Sequence, residues 1–294
     1  MNHRDDMDRF GTAALIAIMV VLALNQVVIK LTNDGLQPVF AAGLRSAGAV
    51  VVIWGWMRLR GQRLDFRPGT LPAGLLIGLI FAVEFLALFI ALDLTTVTRV
   101  SVIFYSMPVW MAVAAHFLLP GERLTPLRSL GLALAFAGVV WAIVDRTGLG
   151  GDASLLGDLA ALVGALGWMG VSLVPRLTRI REVTPEMQMF WQLLVSAPLL
   201  IAVSFAFGPF LRDFVPVTAW MMLFQIVVVA SGTFLAWFWL LSRYKASQIA
   251  AFAFLSPVFG VVMGWLWLGE TVTPALIAKL ALVTLGIVLI NRRA

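Results

Sequence analysis

The sequence predicts an all-α integral membrane protein in which ten transmembrane helices form two inverted five-helix repeats. Three observations lead to this prediction: an apolar composition, ten apolar segments of membrane-spanning length, and a motif that occurs twice. Of the 294 residues, 61% are hydrophobic and 12% are charged, and the mean hydropathy is +0.98. Soluble domains carry about 25% charged residues, so this composition indicates a lipid environment.

Ten segments are apolar over the roughly 20 residues that a helix needs to cross a bilayer. They cover residues 10–31, 39–57, 71–92, 98–119, 127–144, 156–174, 187–207, 217–241, 246–268 and 274–290. Helices are the expected form, because backbone groups in hydrocarbon need partners within their own segment. Alternating strands of about ten residues, which a membrane barrel requires, are absent from the sequence.

Lysine and arginine are distributed unevenly between the two sides of the predicted bundle. Fifteen of the 21 lie on the side of the N-terminus, five lie on the other side, and Arg45 lies within a span. Because short cytoplasmic loops are enriched in these residues, we expect both termini to lie in the cytoplasm. The distribution also explains the net charge of +6 without a nucleic-acid partner.

One motif occurs in both halves of the chain. Residues 106–109 and 121–126 (Ser-Met-Pro-Val and Gly-Glu-Arg-Leu-Thr-Pro) return as residues 255–258 and 269–274 (Leu-Ser-Pro-Val and Gly-Glu-Thr-Val-Thr-Pro). We therefore divide the chain into a first repeat at 10–144, a linker at 145–154 and a second repeat at 155–291. Each repeat has an odd number of spans, so the two repeats face opposite ways across the membrane.

The 5+5 arrangement, the proline in spans four and nine, and the Gly-Glu-x-x-Thr-Pro motif together resemble the drug/metabolite transporter superfamily in its EamA-type branch. Length and aromatic content are most similar to the YddG-type exporters of aromatic and other amino acids. The resemblance covers essentially the whole chain and implies export of amino acids, other metabolites or drugs from the cytoplasm to the periplasm. The second half departs from the first by one residue deleted between the proline and the Gly-Glu pair.

Pro108 and Pro257 lie near the middle of the fourth and ninth spans. Proline lacks an N–H and clashes with the carbonyl group four residues earlier, so Phe104 and Ala253 lose their usual helical partners. One interpretation is a packed kink, because proline is common in transmembrane helices. The symmetry of the two positions favours the other interpretation, a pair of matched hinges or gates.

Arg45 and Glu84 are the only charged residues well inside the predicted hydrocarbon region. Charges at this depth cost about 3 kcal/mol on insertion scales and usually face a cavity or each other. They either form a mutual ion pair that joins spans two and three, or hold the carboxylate and amine of a zwitterionic substrate. Glu84 is also the candidate for a coupling proton. The equivalent positions of the second repeat are neutral, Gln192 and Thr233.

Further cavity candidates are polar or aromatic and lie deep in their spans. Asn25 and Trp168 occupy approximately equivalent positions near the midplane, and Tyr105 and Trp237 also lie away from the span ends. Taken singly, each residue is more often a packing element than a ligand contact. Together they are typical of a roomy apolar cavity in which a few polar groups orient the ligand.

The fifth span has small residues on one stripe, at Gly131, Ala135 and Gly138. Small residues let helices approach closely, so we expect this span either to pack against span ten or to form a dimer contact. The sequence leaves both a monomer and a homodimer open.

The residue types present argue against an enzyme. Two histidines and no cysteine exclude the usual zinc ligand sets, and no catalytic or phosphate-binding motif occurs. We expect no cofactor and no metal. Together with the inverted repeats, the resemblance to EamA-type transporters implies a secondary transporter in the bacterial inner membrane that exports amino acids, including aromatic and apolar ones, by alternating access. Efflux of drugs or other small metabolites, or a channel-like facilitator, is the alternative.

Overall fold

The structure of the chain, a computed structural model, describes residues 8–119, 122–145, 154–244, 252 and 255–291. Over these residues the secondary structure is helical apart from turns and one isolated bridge between Leu36 and Leu211. In this described part, nine helices are long and apolar enough to cross a membrane. The ninth predicted span, at 246–268, is represented by the shorter apolar helix Leu255–Leu268, and most of its predicted beginning lies outside the described residues.

The helices are named here in chain order. They are α1 (Arg9–Gly35), α2 (Pro38–Leu59), α3 (Leu71–Leu94), α4 (Val97–Phe104), α5 (Met107–Leu118), α6 (Pro126–Val144), α7 (Leu155–Leu177), α8 (Pro185–Ser204), α9 (Pro216–Phe224), α10 (Phe234–Arg243), α11 (Leu255–Leu268) and α12 (Pro274–Asn291). The π segment Gln225–Thr233 joins α9 to α10, and short 3-10 turns follow α7 and α8.

The two ends of the bundle differ in charge. The arginine-rich face carries the connections at residues 60–70, 119–125 and 178–184, and the opposite face carries those at 95–96, 205–215 and 269–273. Neither name assigns an end of the bundle to a compartment.

The repeated Thr-Pro pair of the motif starts a helix in both halves. Thr125 precedes α6, and its hydroxyl accepts a hydrogen bond from the N–H of Arg128 at 3.4 Å. Thr273 precedes α12 and accepts from the N–H of Leu276 at 3.2 Å. Threonine satisfies an otherwise unpaired N–H at a helix start, and the proline that follows needs no hydrogen bond there.

Span four is interrupted where the sequence places Pro108. Helix α4 ends at Phe104, residues 105–106 form a tight turn, and Pro108 lies in the first turn of α5. The N–H of Ser106 bonds to the carbonyl of Ile103 at 3.2 Å, so the chain changes direction instead of continuing the helix. The predicted interruption is confirmed. Pro257 lies in the first turn of α11, but Ala253 lies outside the described residues.

The principal helix contacts join the two halves of the chain. Helix α3 packs against α7 and α8, α2 packs against α8 and the π segment, and α1 packs against α11. Exchanging the two repeats exchanges α2 with α8 and α3 with the π segment, so the contact of α3 with α8 is equivalent to the contact of α2 with the π segment. In the same way, the contact of α1 with α11 is equivalent to the contacts of α7 with α4 and α5. Two copies related by a twofold axis produce this pattern.

Helices α6 and α12 approach each other through the small-residue stripe. A Cβ atom on Gly286 would lie 2.5 Å from the carbonyl oxygen of Gly131 and from the Cβ of Ala135, and one on Gly138 would lie 2.8 Å from Val283. The expectation that spans five and ten pack together is therefore confirmed. No side chain larger than hydrogen fits at Gly286 without separating the helices.

Buried ion pairs connect several helices close to the opposite face. The Nε atom of Arg99 donates to Asp158 at 2.9 Å, and its Nη2 atom donates to the carbonyl of Ala142 at 2.6 Å. Lys279 pairs with Asp145 at 2.9 Å. Charges removed from solvent are tolerated when they are paired and hydrogen-bonded, so these contacts join α4, α6, α7 and α12 at this end of the bundle.

Replacement of Gly286 should destabilise the fold. In Gly286→Leu the added side chain overpacks the contact between α6 and α12, and we expect a loss of about 2 kcal/mol in unfolding free energy. Denaturation of the purified protein in detergent measures this loss. Gly55→Leu is the matched control, because a Cβ at Gly55 meets nothing within 4 Å. Equal stability of the two variants would contradict the packing described here.

Candidate substrate cavity

A cavity of about 490 Å³ lies between the two halves of the chain. It is lined by residues of α1, α2, α3, α5, α7, α10 and α11, among others, and it extends to the arginine-rich face. Among the described residues, no lining residue belongs to a connection of the opposite face. In the part of the chain that the structure describes, the cavity therefore opens towards the arginine-rich face.

Arg45 and Glu84 are both buried in the wall of this cavity, at 2% and 4% exposure. No ion pair joins them in the described part of the chain. Arg45 Nε and Glu84 Oε2 are buried without a hydrogen-bond partner, and the guanidinium lies 4.1 Å from the ring centroid of Phe85. Of the two arrangements expected from the sequence, the direct ion pair is not formed in this structure.

Helix α1 contributes two further buried polar side chains to the same wall. The amide nitrogen of Gln26 and the amide oxygen of Asn25 have no hydrogen-bond partner among the described residues, whereas the oxygen of Gln26 accepts from Ser101 at 2.6 Å. Unmade hydrogen bonds on buried groups cost about 1–3 kcal/mol each. The cavity wall therefore holds a guanidinium group, a carboxyl group, an amide donor and an amide acceptor that a bound solute could satisfy.

Aromatic side chains form another part of the wall. The rings of Phe104 and Trp168 stack at a centroid distance of 5.2 Å, and Tyr105 meets Trp168 edge to face at 6.0 Å. The turn at residues 105–106 brings Tyr105 into this group, because it ends α4 at this depth. Trp237 and Phe234 from α10 also line the cavity. The arrangement provides an apolar surface beside the charged groups.

Two glycines of α7 allow the charged and aromatic parts of the wall to approach each other. A Cβ on Gly167 would lie 2.9 Å from the Cα of Glu84, and one on Gly164 would lie 3.1 Å from the ring of Phe104. Helix α7 therefore lies directly against α3 at Glu84. This close approach fixes the position of the carboxyl group relative to Trp168, the next residue on α7.

The structure brings most of the predicted site residues together. The cavity is lined by Asn25, Arg45, Glu84, Tyr105, Pro108, Trp168, Thr233 and Trp237. Thr233 ends the π segment, and its hydroxyl donates to the carbonyl of Val228 at 2.9 Å. Because this bond occupies the hydroxyl proton, Thr233 presents an acceptor and a methyl group to the cavity.

Gln192, which the sequence placed among the cavity candidates, does not line the cavity, and neither does Pro257, which the sequence assigned to a hinge or gate. Helix α8 turns the neighbouring Trp191 towards α3, where its ring contacts Gly74, and Gln192 is left half-buried on a different side of the helix. At Pro257 the preceding Ser256 faces the cavity instead. The placement of Gln192 from repeat equivalence was therefore wrong for the cavity wall of this conformation.

The sequence did not single out Phe85, Arg128 or Arg176, and it identified Glu122 and Arg123 only as part of the repeated motif, without placing them at a cavity mouth. The mouth lies on the arginine-rich face and is lined by Glu122, Arg123, Arg128 and Arg176. Loop arginines on this side resemble ordinary topology signals, so no sequence pattern distinguished these three. Among the described residues, no group of three or more His, Cys, Asp or Glu side chains could hold a metal ion.

On the opposite face, Glu270 of the repeated Gly-Glu pair closes the contact between α11 and α4. Its carboxylate accepts hydrogen bonds from the N–H groups of Val97 at 2.7 Å and Thr98 at 2.8 Å. Glu122, the equivalent residue at the arginine-rich face, instead forms a half-exposed ion pair with Arg176 at 3.0 Å. One motif thus makes a buried helix cap at one end and a solvent-exposed contact at the other.

Comparison with known proteins shows relatives along nearly the whole chain. An uncharacterized transporter, YoaV of Bacillus subtilis, is 25% identical over 276 residues, which is 93% of this chain and 94% of that protein. A protein of Escherichia coli named "Probable amino-acid metabolite efflux pump" is 26% identical over 279 residues, which is 90% of this chain and 88% of that protein.

One known crystal structure has a similar fold. The match covers 95% of this chain and 96% of the chain in that structure, with a TM-score of 0.67 and 20% sequence identity. At this identity the likeness concerns the fold alone. The sequence model of the EamA-like transporter family matches twice, at residues 9–144 and 155–292. With its apolar helices and central cavity, this chain belongs to the EamA-like transporter family.

Proposed function

We propose that this transporter exports amino acids, including aromatic and apolar ones, from the cytoplasm to the periplasm by alternating access. One observation carries the proposal. The guanidinium group of Arg45 and the carboxyl group of Glu84 form no ion pair with each other, and both lie in a cavity with an aromatic wall. A free amino acid has one carboxylate, one ammonium group and a side chain. Each of these groups has a complementary surface in this cavity.

The charged groups define the orientation of such a substrate. The guanidinium of Arg45 would bind the carboxylate in a two-pronged contact, and Glu84 would accept hydrogen bonds from the ammonium group. Asn25 and Gln26 add an acceptor and a donor. The side chain would then lie against Phe104 and Trp168. A buried unpaired charge is costly, so the substrate would supply partners that the empty cavity lacks.

The charge distribution supports export as the direction of transport. If the arginine-rich face is cytoplasmic, as the positive-inside rule requires, the cavity is open to the cytoplasm in this conformation. A solute loaded from that side and released on the other is exported. The name of the Escherichia coli relative, an amino-acid metabolite efflux pump, supports the same direction.

The different roles of Glu270 and Glu122 support alternation between two states. Two halves with inverted orientation exchange conformations, so a contact made at one end has an equivalent at the other end in the second state. Here the cap of Glu270 on α4 seals the opposite face, while Glu122 is exposed at the open mouth. Opening the opposite face would therefore require Glu270 to leave Val97 and Thr98.

Efflux of drugs or other small metabolites is the second candidate function. The aromatic rings of Phe104, Trp168 and Trp237 would also receive a flat apolar compound without an amino-acid backbone. A compound of this kind would leave Arg45 and Glu84 unpaired. A channel-like facilitator would show neither saturation nor counterflow in the measurements below.

Neutral replacements of the two charges should weaken substrate binding. We expect Arg45→Gln and Glu84→Gln each to raise the KM for phenylalanine about tenfold or more, because a hydrogen bond to a charged group contributes about 1.5–3 kcal/mol. Counterflow with purified protein in liposomes measures this change. Gln192→Ala is the control, since Gln192 does not line the cavity. An unchanged KM in both charge variants would refute the assignment.

Glu84→Gln also separates the two roles proposed for this carboxyl group. If Glu84 carries a coupling proton, the variant retains counterflow but no longer accumulates phenylalanine against its gradient when a pH gradient is imposed. If Glu84 only binds the ammonium group, counterflow and gradient-driven accumulation fall together.

Removal of the Glu270 carboxylate should open the seal on the opposite face. The chain contains no cysteine, so a single cysteine at Thr96→Cys, where the native residue is buried, reports accessibility. We expect Glu270→Ala to increase labelling of this cysteine by a membrane-impermeant maleimide about fivefold or more, because the variant loses two charge-assisted hydrogen bonds. Asp213→Asn, an exposed acid on the same face, is the control. Equal labelling in both backgrounds would remove Glu270 from the seal.

Replacement of Pro108 should impair transport more than folding. Alanine supplies an N–H and removes the clash, so α4 and α5 become free to join into one straight helix. We expect Pro108→Ala to lower the maximal transport rate severalfold while the midpoint of thermal unfolding changes little. Pro198→Ala is the control, because Pro198 lies inside α8 away from the cavity. A normal transport rate in Pro108→Ala would contradict a hinge.

A further inference from the structure

The cavity mouth carries three guanidinium groups and one carboxylate. Arg123, Arg128 and Arg176 line it together with Glu122. Arg176 and Glu122 form an ion pair at 3.0 Å, which leaves Arg123 and Arg128 without an ion-pair partner in the described part of the chain. The Nε atom of Arg128 is buried and has no hydrogen-bond partner there.

Several other arginines on the same face have partners. Arg67 pairs with Asp65 and Arg179 pairs with Glu182, both at 2.9 Å. Arg60 lies over the ring of Trp56 at 5.2 Å. The positive-inside rule explains why arginines occur on this face. It does not account for the position of Arg123 and Arg128, two arginines without such partners, at the mouth of the cavity.

We propose that Arg123 and Arg128 form a cationic mouth site that receives the carboxylate of incoming solutes and repels organic cations. The inference deepens the proposed function, on which it rests, by naming the substrate class. The transported solutes are carboxylates that are zwitterionic or anionic, and cationic drugs and cationic amino-acid derivatives are disfavoured.

The electrostatics of a cleft give the mouth its selectivity. Charges at the entrance of a low-dielectric cleft focus the field along it and raise the local concentration of the opposite charge. At physiological ionic strength screening acts over about 8 Å, so a solute in the mouth experiences both arginines. The carboxylate would then pass from the mouth to Arg45, whose guanidinium lies in the same cavity. A cation meets unfavourable charge at both places except near Glu122 and Glu84.

The test uses inside-out membrane vesicles, in which the proposed cytoplasmic mouth faces the bath. Uptake of labelled phenylalanine is measured with two competitors of similar shape: phenylalanine amide, a cation, and 3-phenylpropionate, an anion. For the double variant Arg123→Gln/Arg128→Gln we expect the KM for phenylalanine to rise about fivefold at low ionic strength with little change in maximal rate. The preference for the anionic over the cationic competitor should shrink by a similar factor.

The matched control is Arg63→Gln/Arg181→Gln, which removes the same charge from exposed positions of the same face outside the cavity. Added salt should weaken the anion preference of the wild type and leave the mouth variant nearly unaffected. If the mouth variant behaves like the control variant while the wild type transports phenylalanine, the mouth site is refuted and the proposed function stands.

A binding measurement distinguishes a failure of the mouth site from a failure of the proposed function. In purified wild-type protein, 3-phenylpropionate should raise the Tm more than phenethylamine, and the Arg123→Gln/Arg128→Gln variant should lose most of this difference. This difference in Tm would support the mouth site even if phenylalanine is not transported. The absence of phenylalanine transport would refute only the proposed function. Equal stabilisation of the wild type by the two compounds overturns the mouth site.

Discussion

Hydrocarbon offers no hydrogen-bond partners, and this constraint governs the whole structure. Polar groups that hold the fold together are paired: Arg99 with Asp158, Lys279 with Asp145, and the Glu270 carboxylate with the start of α4. Among the described residues, five of the ten buried side-chain atoms without a hydrogen-bond partner belong to residues that line one cavity between the two halves, and these include the charged residues Arg45 and Glu84. Because an unpaired buried charge destabilises a protein, its presence there indicates a place that a solute completes.

The repeat gives the cavity its position and its asymmetry. The halves contact each other through equivalent helix pairs, so the space between them lies on the axis that relates them. The charges are not symmetric, since Arg45 and Glu84 of the first half correspond to Gln192 and Thr233 of the second. The Gly-Glu motif is shared by sequence, yet its two copies make different contacts. The charged residues of the cavity therefore come from the first half only, and the two ends of the bundle are closed to different degrees.

Much of the fold and part of the site could be predicted from the sequence. Nine of the spans match helices of the described residues, because length and hydropathy decide membrane insertion almost independently of packing. Arg45 and Glu84 were identified because a charge in an apolar span is conspicuous. Gln192 was misplaced, since repeat equivalence fixes the depth of a residue but not the side of the helix it occupies. Helix rotation depends on contacts such as that of Trp191 with Gly74.

The sequence by itself determined the helical spans, the twofold repetition, the break at Pro108 and a stripe of small residues on span five that permits a close helix contact. These features follow from local chemistry: hydropathy, a missing N–H and the absence of a side chain. Only the tertiary structure decided that Arg45 and Glu84 do not pair, that Glu270 caps α4, and that Arg123 and Arg128 stand at the cavity mouth. The reason is physical, because each of these facts concerns side chains from different helices, and their distance is set by the packing of the whole bundle.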